Sequence, residues 1–222
     1  MSSNTLIVYV HGALSTKNSW NYIRQNLASK WMTEDSARGK FSPNEEFIKY
    51  NLNREASSEI VADMTLKISN WIEKKEIKKL ILIGHSFGGV LSVQAVRELS
   101  EFLKDNAVKT RIITLSSPFA GSEIAAVLRM FKPTSMFFKN IGDHTNFIKE
   151  FKRHPLPCPT KIFVTVDGGA DWMPQANDGV VTIASQTFYS NDSNASQQEV
   201  KANHFEILLT DAVVTQLFKD SK

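Results

Sequence analysis

Residues 80–99 constrain this chain more than any other stretch. The run Leu80-Ile81-Leu82-Ile83 is apolar at every position. It is followed by Gly84-His85-Ser86-Phe87-Gly88-Gly89, and then by Val90, Leu91, Val93, Ala95, Val96 and Leu99 at helical spacing. A buried strand therefore passes straight into a buried helix, with a serine at the turn. So tight a turn strains the backbone of its central residue, and glycines on either side remove Cβ atoms that would strike the adjoining strand and helix. Oγ of Ser86 is lifted above the strand end, where the first N–H groups of the helix favour an anion. The plainer alternative is a tight strand–helix turn with an ordinary capping serine.

The rest of the chain repeats the same rhythm. Leu6–Val10, Phe47–Tyr50, Ile112–Leu115 and Ile162–Val166 are further strand-like runs, and a short sixth is expected around Val200. The strongest of them lack polar alternation, as strands covered on both faces do. Ile60, Val61, Met64, Ile68, Trp71 and Ile72 mark one face of a helix that Ser57 or Ser58 would cap, and Ile207 to Phe218 mark a C-terminal helix. Strands alternating with helices predict an α/β fold around a mostly parallel sheet, and 222 residues suffice for one domain spanning residues 1–222. The Ser-, Asn- and Asp-rich stretch Ser190–Gln198 reads as a surface loop. Between Phe119 and Phe151 lie six of the fourteen phenylalanines, with Met130 and Met136. That segment is either a core helix pair or a cap, inserted over residues 119–157, above an apolar site.

Composition narrows the function. A net charge of +3 with scattered Lys and Arg gives no basis for nucleic-acid binding, and no apolar run is long enough for an integral membrane segment. The N-terminus shows no signal-peptide pattern, and the single Cys158 excludes an internal disulfide, so a reducing, cytoplasmic compartment is expected.

A nucleophilic serine needs a base, an acid that orients the base, and donors for the oxyanion. The N–H of Phe87, next to Ser86, is one donor, and the turn Val10-His11-Gly12-Ala13-Leu14 offers a second at Ala13, with Leu14 the next choice. His11 reads as a brace for that turn. Of the other histidines, His144 and His154 lie in the irregular segment, and only His204 comes late enough for the order Ser…Asp…His. Asp167, Asp171 and Asp178 all follow the fifth strand, and their turn contexts do not separate them.

The elbow at Ser86, the His-Gly turn, Leu115-Ser116-Ser117-Pro118 with Gly121-Ser122, Asn177-Asp178-Gly179-Val180-Val181 and Asn203-His204 occur in an order that resembles bacterial lipases and esterases of the α/β-hydrolase superfamily, nearest the small-lipase and GPI-inositol-deacylase-like branch. The resemblance implies an α/β-hydrolase fold without the leading antiparallel hairpin, and a serine hydrolase cleaving carboxylic esters of a small molecule or lipid. It places the triad acid at Asp178, beside Ser86 and His204. No cofactor is implied, and no His and carboxylate cluster suited to calcium or zinc is evident. The sequence departs from such lipases at Leu115-Ser116-Ser117-Pro118, where they more often carry Gly-Thr-Pro. A thioesterase, an amidase or an acyltransferase would use the same triad, and a hydrolase-fold binding protein would need none of it.

Overall fold

A computed structural model describes residues 4–13, 15–35, 43–121, 145–171, 173 and 175–222. Most of the expected cap, residues 122–144, lies outside the described residues, as do His144 and Leu14. In chain order the elements are β1 (Thr5–Val10), α1 (Asn21–Asp35), β2 (Asn44–Ile48), α2 (Ser57–Lys74), β3 (Lys79–His85), α3 (Phe87–Glu98) and α4 (Ser100–Asp105). They continue with β4 (Lys109–Leu115), α5 (Asn146–Phe151), β5 (Thr160–Thr165), α6 (Ile183–Gln186), β6 (Ala195–Val200) and α7 (Asp211–Ser221). The strands form one six-stranded sheet in the order β2-β1-β3-β4-β5-β6, and all five pairings are parallel.

The strands explain why the sheet is covered on both sides. Successive side chains of a strand point to opposite faces. Leu6, Val8 and Val10 of β1, with Leu80 and Leu82 of β3, face a core shared with Ile60, Met64 and Ile68 of α2 and Val90 and Val93 of α3. Ile7, Tyr9, Ile81 and Ile83 face the opposite core, closed by Ile23 and Leu27 of α1 and by Val213, Val214 and Leu217 of α7. A run with no polar alternation is thus apolar on both faces, as the sequence predicts.

Two local details differ from the sequence expectations. Helix α2 is capped at Ala56, whose backbone N–H donates to Glu59 Oε2 at 2.8 Å, while Ser57 is already the first helical residue and is buried. Residues 195–198 of the expected surface loop belong to β6, which pairs with β5 from Thr160↔Ala195 to Thr165↔Val200. Backbone pairing decides that strand, and its polar, exposed side chains suit a sheet edge. Ile23, Leu27 and Trp31 of α1 continue from Trp20, in the short helical turn Lys17–Trp20 that leads into it, at spacings of three and four residues, a pattern present in the sequence and spread thinly among polar neighbours. The described flanks of the Phe-rich segment pack inward. Phe119 and Phe151 stack at 6.2 Å between ring centroids, and Tyr189 meets both edge-on.

Because every strand is parallel, all the C-terminal strand ends lie along one edge of the sheet. Ligand sites of open parallel sheets form at that edge. It carries His11 after β1, Ser86 after β3, Ser116 after β4 and Thr165 at the end of β5.

Candidate active site

Ser86 connects β3 to α3 with φ 53° and ψ −129°, a conformation that L-residues rarely adopt. Its N–H donates to Leu115 O at 2.8 Å and its carbonyl accepts from Gly89 N–H at 3.0 Å, so strain at the turn is offset by bonds on both sides. The glycines are required by contact. A Cβ on Gly84 would fall 2.5 Å from backbone atoms of Gly88 and Gly89, and one on Gly88 would strike the carbonyl oxygens of Val10 and His11. The latter contact presses the first turn of α3 against the end of β1, so the His11-Gly12 turn passes beside the serine. A Cβ built on Gly12 would lie 3.2 Å from Ser86 Cβ.

His11 braces this turn. Its Nδ1–H donates to Gly12 O at 2.7 Å, Ser15 N–H donates to the same oxygen at 3.1 Å, and Tyr50 stacks on the imidazole and donates its hydroxyl to His11 O. Gly12 O and Ala13 N belong to one planar trans peptide, so tying down the carbonyl sets the direction of the Ala13 N–H, which points the opposite way. Burial lowers the His11 pKa, so the brace carries no charge at neutral pH.

His204 and Asp178 meet beside the elbow. His204 Nδ1 lies 2.9 Å from Asp178 Oδ2, and His204 N–H donates to Asp178 O at 3.1 Å. Both side chains are buried. Asp171, the competing acid, is exposed, and Asp167 turns its carboxylate back on Gly168 N–H. His154 is exposed and pairs with Glu150. His85, which precedes the serine, donates Nε2–H to His204 O at 2.8 Å and so anchors the loop that carries His204 to the elbow. Burial drives the His85 pKa down to about 3, with His204 adding to the effect, so His85 is neutral at physiological pH. Its Nδ1 is therefore a bare acceptor, and it is left unpartnered toward Gly12.

The residues around Asp178 were not legible in the sequence. Oδ2 accepts from Thr165 Oγ1–H at 2.5 Å, from Gln186 Nε2–H at 3.1 Å and from His204, while Oδ1 accepts from the N–H groups of Val180 and Val181 at 3.0 and 2.8 Å. Burial alone would raise this carboxyl pKa. The hydrogen bond and charge of His204, with Thr165 and Val181, outweigh burial and hold it below its ordinary value. Ser116 Oγ lies 2.9 Å from Thr165 Oγ1 and extends the network. Ser116 has φ 51°, a position that a glycine occupies without strain, and it stands where the lipase pattern more often has Gly-Thr-Pro. The only hint of Thr165 in the sequence was a hydroxyl within an apolar strand, and nothing pointed to the fully buried Gln186. Among the described residues no three His, Cys, Asp or Glu side chains gather as a metal-ligand set, and no helix is long and apolar enough to cross a membrane.

Thr165→Val keeps the shape of the side chain and removes one donor to an ionised group. A hydrogen bond to a charge contributes roughly 1.5–3 kcal/mol, so kcat/KM is expected to fall at least about tenfold with an unchanged circular dichroism spectrum. The sign of the stability effect follows from the lowered Asp178 pKa. Stabilisation from a lowered carboxyl pKa is complete above the unfolded value, about 3.9, and is lost as pH falls through the folded one. Thermal melts should therefore separate wild type from Thr165→Val most at neutral pH, and part of the gap should close as the pH approaches 3.

Solved structures share this arrangement of elements at low identity. Phospholipase PlaB from Legionella pneumophila matches with a TM-score of 0.61 at 14% identity over 83% of this chain, which spans 46% of that longer one. The lin2722 gene product of Listeria innocua matches at 0.62 and 15% identity over 97% of this chain and 93% of that one. The 2-hydroxy-6-oxo-6-phenylhexa-2,4-dienoate hydrolase of Rhodococcus sp. strain RHA1 matches at 0.64 and 13% identity, over 99% and 92% respectively. Comparison with curated protein sequences gives no match. The fold is that of the α/β-hydrolases, and the family described as "Putative serine esterase (DUF676)" matches residues 1–146, through β1, the His-Gly turn and the elbow at Ser86. This chain has the α/β-hydrolase fold and belongs to the family of that description.

Proposed function

We propose that the protein hydrolyses carboxylic esters through an acyl-enzyme on Ser86. The observation that carries this reading is a strained serine at a strand–helix elbow, packed against a loop whose histidine is bonded to a buried, ionised aspartate. Ser86 Oγ attacks the acyl carbon as His204 Nε2 takes its proton, which requires the two atoms to come within about 2.6–3.2 Å in the complex with substrate. Asp178 keeps the other ring proton on Nδ1 and stabilises the imidazolium. The N–H groups of Ala13 and Phe87 receive the oxyanion. As the tetrahedral intermediate collapses, the ester C–O bond breaks and His204 returns the proton to the departing alcohol oxygen. Water then attacks the acyl-enzyme, gives a proton to His204, and the acid leaves as Ser86 regains that proton.

The direct test is labelling with a fluorophosphonate, which forms a covalent adduct only with an activated serine. Mass spectrometry of the digested adduct should place the label on Ser86, and absence of labelling in folded protein sinks the reading. Activity across p-nitrophenyl esters of increasing chain length, with one thioester and one anilide, then ranks ester cleavage against thioester and amide cleavage.

A further inference from the structure

We infer that Phe205 forms the binding platform for the alcohol half of the substrate and selects esters of aromatic or bulky apolar alcohols. This rests on the esterase reading and goes beyond it by naming a subsite. The argument starts from the proton. His204 must deliver it to the leaving oxygen, so that oxygen has to lie within hydrogen-bond reach of the imidazole. The remainder of the alcohol then spreads over the residues that border the imidazole and reach solvent. The acyl half stays bound to Ser86 through both chemical steps, whereas the alcohol departs past His204.

Most of the surroundings of His204 are occupied. Asp178 takes Nδ1, His85 takes the backbone carbonyl, and His85 also lies against the imidazole, with ring centroids 5.0 Å apart. His204 and His85 are 2% and 1% exposed. Phe205 is different. Its ring meets His204 edge-on at 5.2 Å and an interplanar angle of 86°, lies 6.3 Å from His85, and is nevertheless 61% exposed. The backbone holds it in place. Asn203 Oδ1 accepts from the N–H groups of both Phe205 and Glu206 at 2.9 Å, Glu206 Oε2 accepts from Asn203 N–H at 3.0 Å, and Phe205 O accepts from Leu208 N–H at 3.2 Å. This reciprocal capping arrangement fixes His204 and Phe205 together. The short helical turn after it, Glu206–Leu209, exposes a second apolar side chain at Leu209. An aromatic ring fixed beside the base and open to solvent offers area for an apolar or aromatic group and no hydrogen bond for a polar one.

The test compares wild type with Phe205→Ala on butyrate esters of methanol, hexanol and benzyl alcohol, which hold the acyl group constant. In Phe205→Ala, kcat/KM for the benzyl and hexyl esters should fall about tenfold, and that for the methyl ester should change by less than about twofold. Phe205→Leu should lie between, and it serves as the variant if Phe205→Ala misfolds. The hydrolysis rate of the butyryl-enzyme should be the same in wild type and variant, because the alcohol has already left at that stage. An equal fall for all three esters, or slower deacylation, would mean that the ring only holds His204 and would overturn the subsite. A loss that follows acyl length at constant alcohol would assign the ring to the acyl pocket and overturn it too. Failure of wild type to hydrolyse any ester would instead overturn the esterase reading, and the subsite with it.

Discussion

Ser86→Ala is expected to leave a folded protein whose esterase activity is lower by about three orders of magnitude or more. The fold should survive because alanine keeps the Cβ, so the backbone strain at φ 53° is unchanged, and the hydrogen bonds of the turn come from the main chain. The chemistry should not survive, because in the proposed mechanism Oγ is the atom that bonds to the acyl carbon, and the loss of one triad member removes nearly the whole benefit of the set. The measurements are kcat/KM on the best p-nitrophenyl ester and a thermal melt. Activity within tenfold of wild type in a normally melting Ser86→Ala protein would place the nucleophile elsewhere.

Asp178→Asn is expected to lower kcat by about 10⁴, the loss seen for the corresponding change in the template triad. The structure supplies the reason. Five donors converge on this carboxylate, three on Oδ2 and two on Oδ1. An amide has a single acceptor oxygen, so its NH₂ group must face one of these sets. If it faces His204, the imidazole has to accept at Nδ1, its proton moves to Nε2, and it can no longer take the proton of Ser86. If it faces the Val180 and Val181 N–H groups, the turn carrying residue 178 loses both bonds and meets a donor instead. Asp171→Asn alters an exposed turn residue, and should keep activity within about twofold and stability within about 0.5 kcal/mol. Steady-state kinetics of the two variants side by side decide the assignment, and a crippled Asp171→Asn with an active Asp178→Asn would reverse it.

Much of this architecture was written in the order of residues. The elbow is local: β3, the turn and α3 are contiguous, and the need for glycine at 84 and 88 comes from atoms only a few residues away or on the adjoining strand. The parallel sheet was legible for a similar reason. Apolar residues at both parities of β1 and β3 leave neither face of a strand fit for water, so helices must cover both. The sixth strand was expected around Val200, and propensity failed only for its start, where the pairing partner decides. Residues 195–198 are polar enough to be a loop, and they are strand because β5 offers its free edge there.

The surroundings of His204 depended on the fold in a stronger sense. Asp178 and His204 are 26 positions apart, and His85 and His204 are 119 apart. Asp167, Asp171 and Asp178 looked alike as turn acids, and only the resemblance to lipases singled out Asp178. The physical difference is the path of the chain after β5, which turns Asp178 inward to meet three side-chain donors and two backbone ones and leaves Asp171 in solvent. Thr165 and Gln186 were silent in the sequence because a hydroxyl in a strand and an amide on a short helix are unremarkable until a buried carboxylate stands between them. The sequence by itself determined the elbow at Ser86 and the layered sheet, since both follow from short-range sterics and the two-sided burial of strands. Only the tertiary structure decided which acid meets His204 and what surrounds it, because a buried charge is tolerated only where several distant donors converge on it, and convergence is a property of the whole fold.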